Sequence, residues 1–179
     1  MTKNTNKNLI HLIFCTETEK SANIDTLYIQ GLLDIIYSIG NNVKLDFINL
    51  NGKTNYNSNS ILKKIKNVRN NYQKVNQSAK SYIIYLIDTD EYFTNPNEKR
   101  IFENIDQFCK ESKYELIWFC RTIEETIWKT KVERNQKLKY AVRFDRNKST
   151  TKININDLSS KCIKIKKSNF KNVLDRILL

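Results

Sequence analysis

Glycine, proline and histidine are scarce in this chain, which holds three glycines, one proline and one histidine among 179 residues. The glycines stand apart at positions 31, 40 and 52. No GxGxxG or P-loop pattern therefore follows a predicted strand, which disfavours a Rossmann-type nucleotide-binding protein. The four cysteines form no CxxC pair, so together with the single His11 they do not make the ligand set of a zinc site or a c-type haem. We interpret the cysteines as reduced structural thiols and His11 as a core residue of a strand.

Long apolar runs are also missing. No segment approaches the roughly 18 uninterrupted apolar residues that a membrane-spanning helix needs, and the polar start Met1 to Asn8 lacks a signal-peptide pattern. Hydrophobic residues nevertheless make up 40% of the chain, which is enough for a globular domain with a single core. The expectation is a cytoplasmic protein that does not associate with membranes.

Positive charge is abundant and unevenly distributed. The formal net charge is +12; residues 1–128 contribute +1, from 16 Lys or Arg and 15 Asp or Glu, and residues 129–179 contribute +11, from 15 and 4. A basic segment of this kind suits a polyanion such as nucleic acid, although a merely solvated lysine-rich surface is the alternative. The candidate nucleic-acid-binding residues are Lys20, Lys53, Lys137, Lys139, Arg143 and Arg146.

Strand-length apolar runs alternate with helical periodicity along the first 137 residues. The predicted strands cover 9–15, 43–50, 82–91, including its acidic end, and 114–120. The predicted helices cover 21–39, 60–76, 97–112, with a cap at Asn97, and 122–137. This βαβαβαβα order predicts an α/β fold with a mostly parallel sheet flanked by helices. We expect residues 138–179 to form a basic extension packed on that domain, with short strands at 140–144, 152–155 and 162–165 and a helix over 169–179.

Acidic residues follow three of the predicted strands. The third strand has no polar alternation, which predicts a central position in the sheet, and it ends in Asp88, Asp90 and Glu91. The first strand is followed by Glu17 and Glu19, and the fourth by Arg121, Glu124 and Glu125. Because parallel strands end at the same edge of a sheet, these side chains are predicted to gather there, with Asp88 and Asp90 on similar sides if the strand stays extended.

Carboxylates collected at one edge are the ligands that Mg²⁺ prefers. The alternative for Asp88 and Asp90 is an ordinary polar turn after a strand. Glu17, Glu19, Glu124 and Glu125 could equally be acids that favour the first turn of a helix. The pairing of Glu17 with the DxD segment favours the metal interpretation, whereas the choice between Glu124 and Glu125 stays open.

A glutamate after the first strand and a DxD after a later one resemble the Toprim fold, and more closely the RloB-like and AbiL-type Toprim proteins of bacterial phage defence, which are related to OLD-type nucleases. Three segments carry the resemblance: Ile13-Phe14-Cys15-Thr16-Glu17-Thr18-Glu19-Lys20, Leu86-Ile87-Asp88-Thr89-Asp90-Glu91, and Cys120-Arg121-Thr122-Ile123-Glu124-Glu125-Thr126-Ile127-Trp128. The resemblance covers about residues 8–130 of the chain. Thr18 stands where that family has glycine, which removes the close backbone approach that glycine allows.

The resemblance implies a Toprim nuclease that cleaves nucleic acid with Mg²⁺ or Mn²⁺ and that works beside an ATPase in phage defence. It implies catalytic metal ligands at Glu17, Asp88 and Asp90, with Glu19 and Glu125 as further ligands. Independently of the resemblance, Arg121, Lys20 or Lys53 could stabilise the negative charge that develops on phosphate during cleavage, and Arg121 is the candidate catalytic cation. Thr18 motivates a second hypothesis, a non-catalytic Toprim-like module that binds an ATPase or nucleic acid. DNA or RNA as substrate, one or two metals, and a monomer or a homo-oligomer all remain open.

Overall fold

A four-stranded parallel sheet organises the computed structural model, which describes residues 9–17, 24–148 and 150–179. The strand order is β2-β1-β3-β4, and the strands are β1 (Ile10–Thr16), β2 (Val43–Asn49), β3 (Lys80–Asp88) and β4 (Glu115–Phe119). The predicted α/β class and parallel sheet are confirmed. β3 pairs with both β1 and β4 and is therefore a central strand, as its continuous apolar run predicted.

Helices lie on both faces of the sheet. They are α1 (Ile24–Tyr37), α2 (Asn59–Val75), α3 (Pro96–Ser112), α4 (Ile123–Trp128), α5 (Lys137–Arg146) and α6 (Phe170–Leu178), with short 3-10 helices at Lys53–Asn55, Arg134–Gln136 and Ile155–Leu158. Ser58 and Thr122 cap α2 and α4 through their side chains. The predicted cap of α3 at Asn97 is wrong, because the Asn95 side chain accepts the hydrogen bond from the Asn97 amide and Pro96 starts the helix.

Two hydrophobic layers enclose the sheet. Leu12 and Phe14 of β1 face α1, α4, α5 and α6, while Ile13 and Cys15 face α2 and α3. Alternate side chains of a strand point to opposite faces, so a strand that is apolar throughout must be covered on both. His11 is fully buried in this strand, and its ring nitrogens lie 2.9 Å from Asp46 Oδ2 and 3.2 Å from Ser81 Oγ, which agrees with its interpretation as a core residue.

The segment after the fourth strand differs from prediction. The predicted helix over 122–137 is interrupted, because α4 ends at Trp128 and Lys129 adopts a left-handed φ of 60°. The short strands predicted at 140–144, 152–155 and 162–165 are wrong: the first lies within α5, and the other two form no strand. Tyr140, Val142 and Phe144 alternate with the period of a strand, whereas the residues that α5 buries are Ala141 and Phe144, which have a helical spacing of three. A window of five residues contains both patterns. The predicted C-terminal helix is confirmed as α6.

The C-terminal segment contributes to the same core as the sheet. Phe144 of α5 contacts Tyr28 of α1 at a ring-centroid distance of 5.2 Å, and Phe170 of α6 lies 6.0 Å from Phe119 of β4. The Asn169 side chain also accepts a hydrogen bond of 2.8 Å from the Trp118 amide. The predicted boundary between the α/β domain and the basic extension, after residue 137, falls one residue into α5. In the part of the chain that the structure describes, no helix has the length and apolar character needed to cross a membrane.

Close packing of α1 against α5 yields a test of this shared core. A Cβ atom on Gly31 would lie 2.5 Å from Phe144 Cε1, and both residues are buried. We expect Gly31→Ala to lower the free energy of unfolding by about 1–3 kcal/mol through overpacking, although alanine favours a helix intrinsically. Chemical denaturation measures the change. Gln30→Ala, at an exposed position of the same helix, is the control, and equal stability of the two variants would contradict the packing.

Candidate carboxylate centre at the sheet edge

Glu17 and Asp88 meet where two neighbouring strands end. β1 and β3 pair in parallel with Thr16 opposite Leu86, so the residues that follow each strand emerge at the same edge. Glu17 Oε1 accepts a hydrogen bond of 2.7 Å from the Asp88 amide. The carboxylate of Asp88 in turn accepts one of 3.0 Å through Oδ1 from the Ile123 amide at the start of α4. The two acids that the sequence paired are thus adjacent and connected to α4.

Other carboxylates crowd around this pair. Asp25, in the first turn of α1, and Glu124, in the first turn of α4, are both buried. Burial raises the pKa of Asp88 well above its ordinary value, and repulsion from Glu17, Glu124 and Asp25 raises it further, while Lys137 opposes the shift. The sequence analysis did not predict Asp25 as a site residue. The one feature of the sequence that could have indicated it is its place in the first turn of the helix that follows the first strand. Of the two glutamates left open, Glu124 lies beside Asp88.

The pKa of Glu17 is raised from 4.5 to about 8. Burial is the largest cause, and the negative charges of Asp90 and Asp25 add to it, whereas Lys53 and the hydrogen bond from the Asp88 amide work in the opposite direction. A carboxyl group with such a pKa binds a proton at neutral pH unless another cation approaches. The centre therefore stores electrostatic repulsion that a proton or a metal ion would relieve.

Asp90 does not continue the extended strand that ends at Asp88. β3 ends at Asp88, and Asp90 has a left-handed φ of 40°, so the extended geometry on which the sequence expectation depended does not continue. Its amide donates to the carbonyl of Arg121, which also has a positive φ, of 63°, over 3.0 Å. Each of these two non-glycine residues in the left-handed region lowers the stability of the fold by about 1 kcal/mol. The turn places the Asp90 carboxylate beside Lys53.

Two lysines from other elements act as counter-ions of the centre. Lys53 Nζ lies 2.5 Å from both Asp90 Oδ2 and Glu98 Oε2, and its side chain is only 13% exposed. Although burial opposes its charge, Glu17, Asp90 and Glu98 together raise the pKa of Lys53 above its ordinary value. On the other side, Lys137 Nζ lies 3.3 Å from Glu124 Oε2. Both lysines, predicted from the sequence to bind nucleic acid, contact carboxylates in this structure.

The loop that carries Lys53 is held against the centre by its backbone. Gly52 has a φ of 102°, a conformation that favours glycine, and its amide donates a hydrogen bond of 3.2 Å to the carbonyl of Glu17. The Asn55 side chain closes the loop by donating to the carbonyls of Leu50 and Asn51. Lys53 is thereby presented to the acids by a constrained turn.

An open cleft of about 510 Å³ adjoins the centre. Asp90, Arg121 and Glu125 line it, together with the exposed apolar side chains of Phe93 and Ile165. Arg121 Nη1 lies 3.7 Å from Glu125 Oε2, so this glutamate faces the cleft rather than Asp88. Arg121 remains about half exposed and is accessible to a ligand in the cleft.

The remaining predicted residues lie elsewhere. Lys139, Arg143 and Arg146 are exposed on α5, and the latter two lie about 9 and 14 Å along the helix from Lys137. Arg143 stacks on Trp128, with its guanidinium carbon 5.3 Å from the ring centroid. The positions of Thr18, Glu19 and Lys20 fall outside the described residues.

The donor chemistry of the centre fits a hard divalent cation. Glu17, Asp88, Asp25 and Glu124 offer carboxylate oxygens, and their mutual repulsion is the condition that a bound cation relieves. Among the residues that the structure describes, however, no group of three or more His, Cys, Asp or Glu side chains is arranged as a metal-ligand set. A metal would therefore bind here only with a rearrangement of these side chains.

Comparisons with protein-family models, with curated proteins and with solved structures found no match to this chain. The resemblance in the three strand-end segments therefore stays a prediction, and the geometry of the centre is the basis for inferring function.

The raised pKa of Glu17 predicts how stability depends on pH. Because the folded state binds this proton more tightly than the unfolded state, the stability contributed by protonated Glu17 is present below pH 4.5 and is lost as pH rises towards 8. We expect Glu17→Gln to remove this loss and to be more stable than the wild type by about 1–3 kcal/mol near pH 8, with a smaller difference near pH 5.

Denaturant unfolding in EDTA at both pH values measures this difference. Glu103→Gln, at an exposed position of α3, is the matched control and should follow the wild type at each pH. A Glu17→Gln variant with the pH dependence of the wild type would contradict the predicted state of Glu17.

Proposed function

We propose that this chain is a Mg²⁺-dependent Toprim-type nuclease whose centre is the carboxylate cluster at the sheet edge. The observation that carries the proposal is the contact of Glu17 with the Asp88 amide, which joins two partly buried acidic residues whose pKa values are raised. A fold does not keep mutually repelling buried acids for stability, since replacing them would stabilise it. Such clusters are typical of functional sites.

Glu17 and Asp88 would hold the cation, and Asp90, which is paired with Lys53 in this structure, would join them after the side chains rearrange. Glu124, whose charge acts on Asp88, is the additional candidate carboxylate. When bound, Mg²⁺ would neutralise charge on the phosphodiester and favour ionisation of an attacking water. Arg121 contributes a half-exposed guanidinium in the adjoining cleft, where it can bind a phosphate oxygen. Lys53 orients Asp90 through their ion pair, and the folded turn around Gly52 keeps that lysine in place.

The biological setting of the proposal follows from the resemblance of the strand-end segments. It includes a cytoplasmic location, a role in defence against phage and an ATPase partner. Glu17-Thr18-Glu19 after the first strand and Asp88-Thr89-Asp90 after the third are the residues that support it. DNA and RNA both present the phosphodiester that such a centre would attack.

A second candidate is a non-catalytic module that binds an ATPase or nucleic acid. The two lysine counter-ions favour it, because Lys53 already neutralises Asp90 and Glu98, and Lys137 already lies against Glu124. Thr18 in place of glycine favours it as well. In this case the acid cluster would be an internal ion network that shapes the sheet edge.

A cleavage assay tests the catalytic proposal. Labelled DNA and RNA are incubated with Mg²⁺ or Mn²⁺, and we expect Glu17→Gln and Asp88→Asn, which keep side-chain shape, each to lower the cleavage rate by more than about a hundredfold. Glu103→Gln is the control for altered charge and should retain the wild-type rate. Equal rates in the wild type and the two site variants would assign the cleavage to a contaminant and overturn the proposal.

Metal binding distinguishes the two candidates without any turnover. We expect isothermal titration to detect Mg²⁺ or Mn²⁺ binding to the wild type, and Asp88→Asn to weaken it by about 10–100-fold or more because a ligand is lost. Binding should also release protons, since the raised pKa of Glu17, about 8, predicts a protonated carboxyl group near pH 7 in the free protein. A wild type that binds neither cation would support the non-catalytic module.

A further inference from the structure

The exposed side of α2 carries a dense group of cations that the division of charge along the chain conceals. Residues 47–87 contain seven Lys or Arg and no Asp or Glu. Five of these cations stand on α2, which has no acidic residue: Lys63, Lys64, Lys66, Arg69 and Lys74. The near-neutral sum over residues 1–128 arises because the compensating acids lie in other elements, including the carboxylate centre.

These five cations on α2 make no ion pairs with other residues that the structure describes. All except Arg69 are exposed. The contrast is with residues 129–179, where seven of the 15 Lys or Arg contact a carboxylate: Lys129, Lys131, Lys137, Lys148, Lys167, Lys171 and Arg176. Among the helices that the structure describes, α2 therefore carries the largest number of Lys and Arg residues without an ion pair.

The spacing arranges the charge along the helix axis. Lys63, Lys66, Asn70 and Lys74 follow one another at intervals of three and four and share one side of α2. The opposite side buries Ile61 and Ile65 against the sheet, so the basic side faces solvent. A helix of 17 residues is about 25 Å long, which matches about seven nucleotides of one strand of a duplex.

The chemistry of this surface selects the class of partner. Exposed amides at Asn59, Asn67 and Asn71 stand among the cations, and amides donate to phosphate and sugar oxygens. Apart from Val75 at its end, α2 exposes no large apolar side chain, whereas a membrane-binding helix inserts an apolar face and a protein interface has an apolar or aromatic centre.

We propose that α2 is a docking surface for the phosphate backbone of nucleic acid. Nucleic acid as the polyanion rests on the proposed function, but the surface itself does not depend on catalysis. The helix begins beside the carboxyl edge of the sheet, because Ser58 caps it three residues after the turn that carries Lys53. Nucleic acid lying along α2 would thus approach the carboxylate centre. This surface differs from the basic residues of α5.

Fluorescence anisotropy with labelled single-stranded and duplex oligonucleotides, in EDTA and at several KCl concentrations, tests the surface. We expect the triple variant Lys63→Gln, Lys66→Gln, Lys74→Gln to weaken binding by about tenfold or more and to reduce the slope of log K against log salt by about 2 to 3. The matched control changes Lys152, Lys161 and Lys164 to Gln, which are exposed cations without ion pairs outside α2, and should weaken binding by less than about threefold.

Three results would overturn the proposal: no binding of either oligonucleotide by the wild type, equal weakening by the two triple variants, or binding of phosphatidylserine-containing vesicles instead of oligonucleotides. Thermal unfolding verifies that both variants fold. If α2 governs binding while cleavage is absent, the docking surface stands and the nuclease proposal fails. If cleavage occurs but the α2 variant binds as the wild type does, the reverse holds.

Discussion

The parallel pairing of β1 with β3 is the constraint on which the rest of the structure depends. It places Thr16 opposite Leu86, and Glu17 therefore meets the Asp88 amide at the edge where both strands end. Both strands are buried on two faces, so helices must cover each side, and the loops that connect them must pass the same edge. The acid cluster is thus a product of sheet topology, formed from residues 71 positions apart in sequence.

Ion pairs with two lysines connect the acids at this edge to distant elements of the chain. Lys53 follows β2 and Lys137 begins α5, yet both contact the acids of the centre. Phe144 of the same α5 fills the core beside Tyr28 and Gly31, so the position of Lys137 depends on packing against α1. The C-terminal segment consequently contributes both to the core and to the charge balance of the candidate site.

The overall net charge of +12 does not describe how charge is distributed over the protein surface. Acids concentrate at the carboxyl edge, where burial and mutual repulsion raise the pKa values of Glu17 and Asp88. Cations concentrate on α2, where no carboxylate of the described residues pairs with them, while many of those in the basic C-terminal segment are paired.

The sequence by itself determined the alternating strands and helices up to β4 and the gathering of acids at one edge. Continuous apolar runs and helical periodicity are local features of a sequence, and the carboxyl ends of parallel strands lie at the same edge of a sheet. Tertiary structure decided which acids interact: the charges of Asp25 and Glu124 act on Asp88, whereas Asp90 pairs with Lys53 and Glu125 faces the cleft. It also decided that residues 137–146 form a helix, because Phe144 is buried by α1, which lies more than a hundred residues away. Side-chain partners and the conformation after a strand depend on contacts between distant segments, which a local pattern does not contain.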